Sequence, residues 1–406
     1  MDLRQSVVFY IDNLERYGFF SRFFDAITGC GYRVSIITAS YSVYFKSRLK
    51  KIDAHVVSDV DILKFEVINQ DWSSFHEVKA GYQDESMASK LYTVSYCFAD
   101  RVFANRYVKK CFIFNGSSSV AKAIADCAKD RSVETLFFEL ANIPGKIFID
   151  PEGVNAKSLL YKNIGILDEV EVDYEEFERW KSGYLSSCLR PKQAALASKF
   201  RFEYLIDWVG FCFFRVLDQS NKSYVSRGLS KVMRKSIVAE TRDVRIVKPY
   251  LLFPCQVNND TQLTLNSSIG NIEGIKIASE MAKSASLELL VKLHPAETDV
   301  DHVRDICHQV NYCDGTLLSK GDTLELVYES DKVVTINSSV GLMAVILGKD
   351  VEFLGESIYS QLTGDRLSKF IIRYLLDVDY FSKEDLSIEI TKSFFRSSFE
   401  SMASPK

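Results

Sequence analysis

Three apolar runs in the second half of the chain, residues 250–255, 287–293 and 332–336, each end on a cluster of polar side chains, and this punctuation restricts the fold more than any other feature. Short runs rich in Leu, Val and Ile, bounded by turn-forming residues and separated by helix-like segments, are the pattern of buried strands in a parallel sheet. Such sheets bind their ligands beyond the carboxyl ends of the strands. Here the first run enters Gln256-Val-Asn-Asn-Asp260-Thr-Gln262 and the second ends in Lys292-Leu293-His294-Pro295. The third passes through Asn337-Ser338-Ser339 into a helix predicted for residues 340–347, with Gly348 as its stop. The unpaired N–H groups and positive dipole end at the start of that helix favour an anion, most often a phosphate.

The first third repeats the alternation. A strand at 6–11, a helix at 22–28 closed by Gly29 and Gly31, and a strand at 33–38 make a Rossmann-like opening. A strand at 111–114 then meets Asn115-Gly-Ser-Ser-Ser119, a helix to Lys129 and a strand at 135–138. No G-x-G-x-x-G is present, which disfavours a dinucleotide cofactor. Residues 156–249 show no strand rhythm and are expected to be mostly helical. In the second unit, helices are expected at 272–284, 300–309 and 323–328, with a last strand at 351–354 and a helical tail over 363–399.

A chain of 406 residues exceeds what one core usually organises. The expected division is an N-terminal Rossmann-like domain at 1–155, a helical, basic insertion at 156–249, a C-terminal Rossmann-like domain at 250–362, and C-terminal helices and tail at 363–406. The fold class is α/β, and its two Rossmann-like domains with a helical return segment resemble the GT-B architecture of many nucleotide-sugar glycosyltransferases.

Nine scattered cysteines, odd in number and without a C-x-x-C pair, argue against a disulfide framework and a zinc site, and fit a reducing cytoplasm. The N-terminus carries no basic start and cleavage site of a secretory signal. The apolar stretch at 204–214 contains Asp207 and is too short to span a bilayer. A net charge of −4 gives no reason to expect nucleic acid. Locally, residues 222–248 carry eight basic side chains (Lys222, Arg227, Lys231, Arg234, Lys235, Arg242, Arg245, Lys248) against Glu240 and Asp243. Beside the apolar stretch at 204–214, they suggest peripheral contact with an anionic inner membrane, the alternative being a solvated helix face. The Ser-Pro-Lys end is either a terminus or a linker to a further domain after residue 406.

The segment Val333-Val-Thr-Ile-Asn-Ser-Ser-Val-Gly341, followed by Gly348-Lys349, Gly355 and Tyr359, resembles a block of the bacterial capsule-polysaccharide Kdo transferases, the KpsS and KpsC group and the WbbB-type retaining β-Kdo transferases. Gln256-Val-x-x-Asp260-x-Gln262 and His294-Pro295 are similar to further motifs of that family. So are Phe138-Glu139, Gly153-Val-Asn155-Ala-x-Ser158 and Gly18-Phe19-Phe20, the last resembling an N-terminal loop. The chain departs from the family at Leu140-Ala141-Asn142-Ile143-Pro144, where a second acid is usual, and at Asp350, where proline is usual.

The resemblance implies transfer of Kdo, an eight-carbon acidic sugar, from CMP-β-Kdo to a lipid-linked or polysaccharide acceptor in capsule or O-antigen biosynthesis, with retention of configuration. Retention by two inversions needs a nucleophile, and Asp260 matches the family's aspartate. Glu139 is the expected acid/base toward the acceptor hydroxyl, and His294 is expected at the leaving phosphate or the sugar carboxylate. Asn337, Ser338 and Ser339 would serve the phosphate, and Lys292 adds charge. Gln256, Gln262, Gly18, Asn155 and Tyr359 complete the expected substrate-binding set. No cofactor and no metal are expected: Asp59-Val-Asp61 is read as a turn. Taken singly, Asn258-Asn259-Asp260 is also an ordinary turn, His294-Pro295 a strand terminator, and Ser338 or Ser339 a helix cap. Two other functions share these features: transfer of a different CMP-sugar such as a sialic acid, and a non-catalytic scaffold that binds glycan or anionic lipid.

Overall fold

In a computed structural model that describes residues 5–58, 70–104, 107–188, 203–214, 249–318 and 320–395, the apolar runs of the first third form one sheet. Its strands are β1 (Ser6–Tyr10), β2 (Arg33–Thr38), β3 (Asp53–Val56), β4 (Val108–Phe114), β5 (Glu134–Leu140) and β6 (Lys146–Asp150). They lie in the order β6-β5-β4-β1-β2-β3, and the two-residue strand Leu376–Asp377 pairs outside β6. From β3 across to β5 the pairing is parallel, whereas β6 and Leu376–Asp377 run antiparallel to their neighbours. Every residue of β1 is buried, as a central parallel strand requires. The core on one face is largely phenylalanine: Phe9 meets Phe112 edge to face at 4.9 Å, and Phe20 meets Phe138 at 5.3 Å. Such pairs add about 0.5–1.5 kcal/mol each beyond the area they bury.

Three local expectations need correction. The single helix expected at 22–28 is a pair, Leu14–Ser21 and Phe24–Gly29, because the Asn13 side chain accepts from the Arg16 N–H (2.9 Å) and starts the first helix earlier. Gly18 therefore lies within a helix and not in a loop. The tail is not uniformly helical. It passes through short helical turns at Arg366–Lys369 and Phe370–Tyr374, the strand Leu376–Asp377 and a loop before the helix Ile388–Phe395.

The second sheet comprises β7 (Tyr250–Pro254), β8 (Glu288–Lys292), β9 (Thr316–Leu318), β10 (Lys332–Thr335) and β11 (Asp350–Phe353), all parallel, in the order β11-β10-β7-β8-β9. Read in reverse, this is the order β9-β8-β7-β10-β11, the arrangement that β3-β2-β1-β4-β5 has in the first sheet. Both units are thus of Rossmann type, the two-domain α/β composition of the GT-B class. The first unit contains the chain up to Val172, the helix Glu203–Phe214 and the chain from Lys369; the second contains the helix Tyr174–Cys188 and the chain from β7 to Ser368. Helices at Asn271–Ser284, Val300–Tyr312, Thr323–Glu329 and Ser339–Ile346 cover the second sheet. A Cβ at Gly341 would stand 2.4 Å from the Phe353 ring and 2.9 Å from Thr335 Cγ2, so only glycine lets that last helix approach β10 and β11 this closely.

Candidate active site

In the second unit the strand order reverses between β7 and β10, which makes the carboxyl ends of these two strands the crevice of the sheet. Gln256 and Asn337 close the base of that crevice. Gln256 Nε2 donates to Asn337 Oδ1 (2.9 Å), and the Asn337 backbone N–H donates back to Gln256 Oε1 (3.1 Å). The two Asn337 amide hydrogens go to the carbonyls of Gln262 (2.9 Å) and Asn266 (3.2 Å), and Asn271 holds the Gln256 backbone from the other side through both its amide atoms (2.9 Å each). Gln256 and Asn337 are buried. Their amides are consumed by the framework, so they position the loops that carry the neighbouring groups. Gln262 is tied in by its carbonyl and by its Oε1, which accepts from Asn266 Nδ2 (2.9 Å).

Asp260 sits half-buried at the N-cap of the helix Thr261–Asn266. Its Oδ1 accepts from the Gln262 N–H (2.7 Å), and among the described residues Oδ2 receives no hydrogen bond. One oxygen is fixed and the other is available. Nearby, the buried Glu297 gathers the Asn258, Thr298 and Asp299 N–H groups (2.7 Å each), which ties the loop after β8 to the loop after β7. That carboxylate clamp escaped the sequence reading, although it lies only three positions beyond His294. His294 Nδ1 accepts from the Ala296 N–H (3.1 Å), so the neutral ring carries its proton on Nε2 and can donate from there. Lys292 is buried at the carboxyl end of β8, which places it on the same edge. Ser338 caps the helix Ser339–Ile346, its Oγ accepting from the Val340 N–H (3.2 Å), while Ser339 is exposed at the first helical position. Tyr359 lies in the turn Ile358–Gln361, whose start is capped by Ser357. Thus Gln256, Asp260, Gln262, Lys292, His294, Asn337, Ser338 and Ser339 share one edge of one sheet.

Glu139, Asn155 and Gly18 belong to the first unit. Glu139 lies near the carboxyl end of β5, hydrogen-bonded through Oε2 to Asn115 Nδ2 and through Oε1 to the Leu140 N–H (3.0 Å). Asn115 has φ +66°, a conformation Asn tolerates better than most residues, and it starts the turn into the helix Ser119–Asp130. Asn155 belongs to a turn built around Asp150, which the sequence reading did not single out. The buried Asp150 carboxylate accepts from the N–H groups of Glu152 (2.8 Å), Gly153 (3.2 Å), Leu159 (2.9 Å) and Leu160 (3.1 Å), and from the Tyr374 hydroxyl (3.0 Å). A second acid that the reading missed is Asp12, just beyond β1. Burial holds its carboxyl above the ordinary carboxylate range, and the bonded Arg16 guanidinium opposes that shift. Its signal in the sequence was an Asp-Asn pair directly after the first strand.

Among the described residues no group of three or more His, Cys, Asp or Glu side chains could hold a metal ion, and no helix is long and apolar enough to cross a membrane. Asp59 and Asp61, and the basic stretch 222–248, lie outside the described residues.

Comparison with known proteins gives the wider setting. Protein FixF of Sinorhizobium fredii is 24% identical over 254 residues, which covers 61% of this chain and 48% of FixF, so the match spans about half of that relative. Among solved structures, the β-Kdo 2,7 transferase KpsC of Thermosulfurimonas dismutans is similar over 96% of this chain and 98% of its own, at 13% identity and a TM-score of 0.47. A UDP-GlcNAc 2-epimerase of Methanocaldococcus jannaschii is similar over 97% and 99%, at 9% identity and a TM-score of 0.31. The family model described as capsule polysaccharide biosynthesis protein matches residues 112–368, well over half of the sequence, and the chain belongs to that family.

Proposed function

We propose that this protein is a retaining glycosyltransferase that moves Kdo from CMP-β-Kdo to a lipid-linked or polysaccharide acceptor in capsule or O-antigen biosynthesis. The observation that carries this is Asp260: a half-buried carboxylate at the crevice edge, with Oδ1 anchored by a backbone N–H and Oδ2 without a partner among the described residues. In the first step Oδ2 attacks the anomeric carbon, the bond from that carbon to the phosphate oxygen breaks, and CMP leaves with the electron pair. In the second, the acceptor hydroxyl attacks the same carbon and gives its proton to a general base, the bond from that carbon to Oδ2 breaks, and the aspartate is released. Two inversions restore the original configuration.

The donor brings a phosphodiester and a carboxylate, so groups that favour negative charge are needed at the same edge. The start of the helix Ser339–Ile346, the His294 Nε2–H and the Lys292 ammonium have that character. The family's place in capsule polysaccharide biosynthesis supports a glycan product. No metal ion is invoked at any step. The test is release of CMP from CMP-β-Kdo in the presence of a small panel of lipid-linked and oligosaccharide acceptors, with CMP-sialic acid as the competing donor. Acceptor-dependent release from CMP-β-Kdo supports the assignment. Release from CMP-sialic acid alone, or from neither donor, refutes it.

A further inference from the structure

The helix Glu203–Phe214 is fastened to the first unit by its polar side and by its one glycine. Asp207 accepts from Ser40 Oγ (2.9 Å), from the Ser42 N–H (2.7 Å) and from Ser42 Oγ (3.1 Å), at the start of the helix Tyr41–Leu49. A Cβ on Gly210 would fall 2.2 Å from Tyr41 Cβ, and Phe214 stacks on the Tyr41 ring with centroids 4.7 Å apart. These contacts dictate which side of the helix faces the protein. The flanks of the helix are aromatic and open: Trp208 is 58% exposed on one side of those contacts and Phe213 is 73% exposed on the other, and Phe211 is also exposed.

A helix whose acid is half-buried in hydrogen bonds to the protein and whose aromatic rings are exposed inverts the usual arrangement of a surface helix. The helix it packs on extends the same chemistry, because Phe45 and Leu49 are also exposed there. Beside them stand Arg48, Lys50 and Lys51, all exposed, while Lys46 lies over the Tyr17 ring at 4.8 Å. Lys46, Lys50 and Lys51 also line an open groove of about 770 Å³ between this helix and the helices Leu14–Ser21 and Phe24–Gly29, as does the exposed Arg33. Exposed Trp, Phe and Leu alongside a fringe of Lys and Arg is the composition of a surface that sits in the interface of an anionic bilayer. A surface for a protein partner would be expected to carry fewer lysines around its apolar centre.

We propose that the paired helices Glu203–Phe214 and Tyr41–Leu49 form an anionic-lipid docking face, with Trp208, Phe211 and Phe213 entering the headgroup boundary and Arg48, Lys50 and Lys51 meeting lipid phosphates. The face belongs wholly to the first unit and involves none of the groups assigned to chemistry, so it stands or falls independently of the transferase assignment.

The full chain is mixed with vesicles of phosphatidylcholine alone and of phosphatidylcholine with phosphatidylglycerol, and followed by co-sedimentation. Binding to the anionic vesicles only, weakened by salt, is expected. Replacing Trp208, Phe211 and Phe213 together by Ser, or Arg48, Lys50 and Lys51 together by Glu, should each lower the partition coefficient by at least about tenfold. All six side chains are exposed, so circular dichroism should be unchanged. Trp208 emission should shift to the blue on vesicle addition, and a Trp208→Phe variant should lose that shift. No sedimentation with anionic vesicles at low salt, or sedimentation that both triple variants retain, overturns the proposal. So does concentration-dependent dimerisation that the Ser variant abolishes without any effect on lipid binding, since the face would then belong to a second copy of the chain.

Discussion

Gln256 and Asn337, 81 positions apart in the chain, exchange two hydrogen bonds across the crevice between β7 and β10. Each residue follows a strand whose neighbour in the sheet is the other's, so the pair locks the register of the two loops that begin there. A pair of neutral amides suits that position, because it satisfies buried backbone groups without the desolvation cost of a charge. The Asn of the family-like Val-Thr-Ile-Asn-Ser segment is thereby explained as a positioning residue.

Replacing Gln256 by Leu leaves the Asn337 N–H and Oδ1 without partners in a buried setting. The expected loss is about 2 to 4 kcal/mol of stability, since each unsatisfied buried group costs roughly 1 to 3 kcal/mol. Urea denaturation measures it. Gln256→Glu at neutral pH should be at least as damaging, because it buries a charge. Stability within about 0.5 kcal/mol of wild type in the Leu variant would show that the reciprocal pair is not what closes the crevice.

How much of this was legible in the sequence differs between strands and side-chain contacts. Parallel strands buried on both faces are written as continuous apolar runs, so β2 and the ends of β7, β8 and β10 could be placed to within a residue or so, together with the polar groups just beyond them. By contrast β9, three half-buried residues, and β6, which turns back antiparallel after a turn with Asn142 at φ +59° and Gly145 at φ +73°, carry too short a pattern. The roles of Asp150 and Glu297 were hidden for another reason. Each is a carboxylate buried by backbone N–H groups that turns bring together, and no spacing rule encodes that.

Tyr374 joins the returning tail to the first unit through its bond to Asp150 (3.0 Å). Tyr374→Phe removes a hydrogen bond to a carboxylate, worth about 1.5 to 3 kcal/mol, and should lower the thermal midpoint accordingly. The change should leave CMP affinity unaltered, because CMP is assigned to the second unit. A variant with wild-type stability would contradict the role of this contact.

Alkaline pH should destabilise the fold earlier than ordinary tyrosine titration alone suggests. Burial raises the thiols of Cys111 and Cys255 above their usual value of 9.0 and pushes Cys127 up to about 12. Burial, followed by nearby acids, likewise raises Tyr374 above 10.0 and Tyr250 to about 12. In each case the folded state keeps a proton that the unfolded chain has already lost. The stabilisation is therefore complete below pH 9 and declines as pH rises from about 9 toward 12. Urea midpoints across pH 7 to 12 measure the decline, and a flat profile would contradict these shifts.

His294→Ala removes the Nε2–H donor, and Ser338→Ala removes the cap that orders the start of the helix Ser339–Ile346. If both face the donor phosphate or carboxylate, each should weaken CMP-β-Kdo binding by about 10- to 100-fold, the range for one lost hydrogen bond to a charged group. Calorimetry is the measurement. Unchanged affinity for CMP and for CMP-β-Kdo in both variants would place the nucleotide elsewhere.

The central claim is covalent: Asp260 Oδ2 becomes bonded to the sugar. Intact-mass spectrometry of the wild-type chain incubated with CMP-β-Kdo and no acceptor should show a single added Kdo residue, localised after proteolysis to the peptide that contains Asp260. The Asp260→Asn variant, which keeps the cap to the Gln262 N–H and hence the fold, should bind CMP as wild type does, show no adduct and transfer nothing. Acceptor-dependent turnover by Asp260→Asn at the wild-type rate, or an adduct on a different residue, would contradict it.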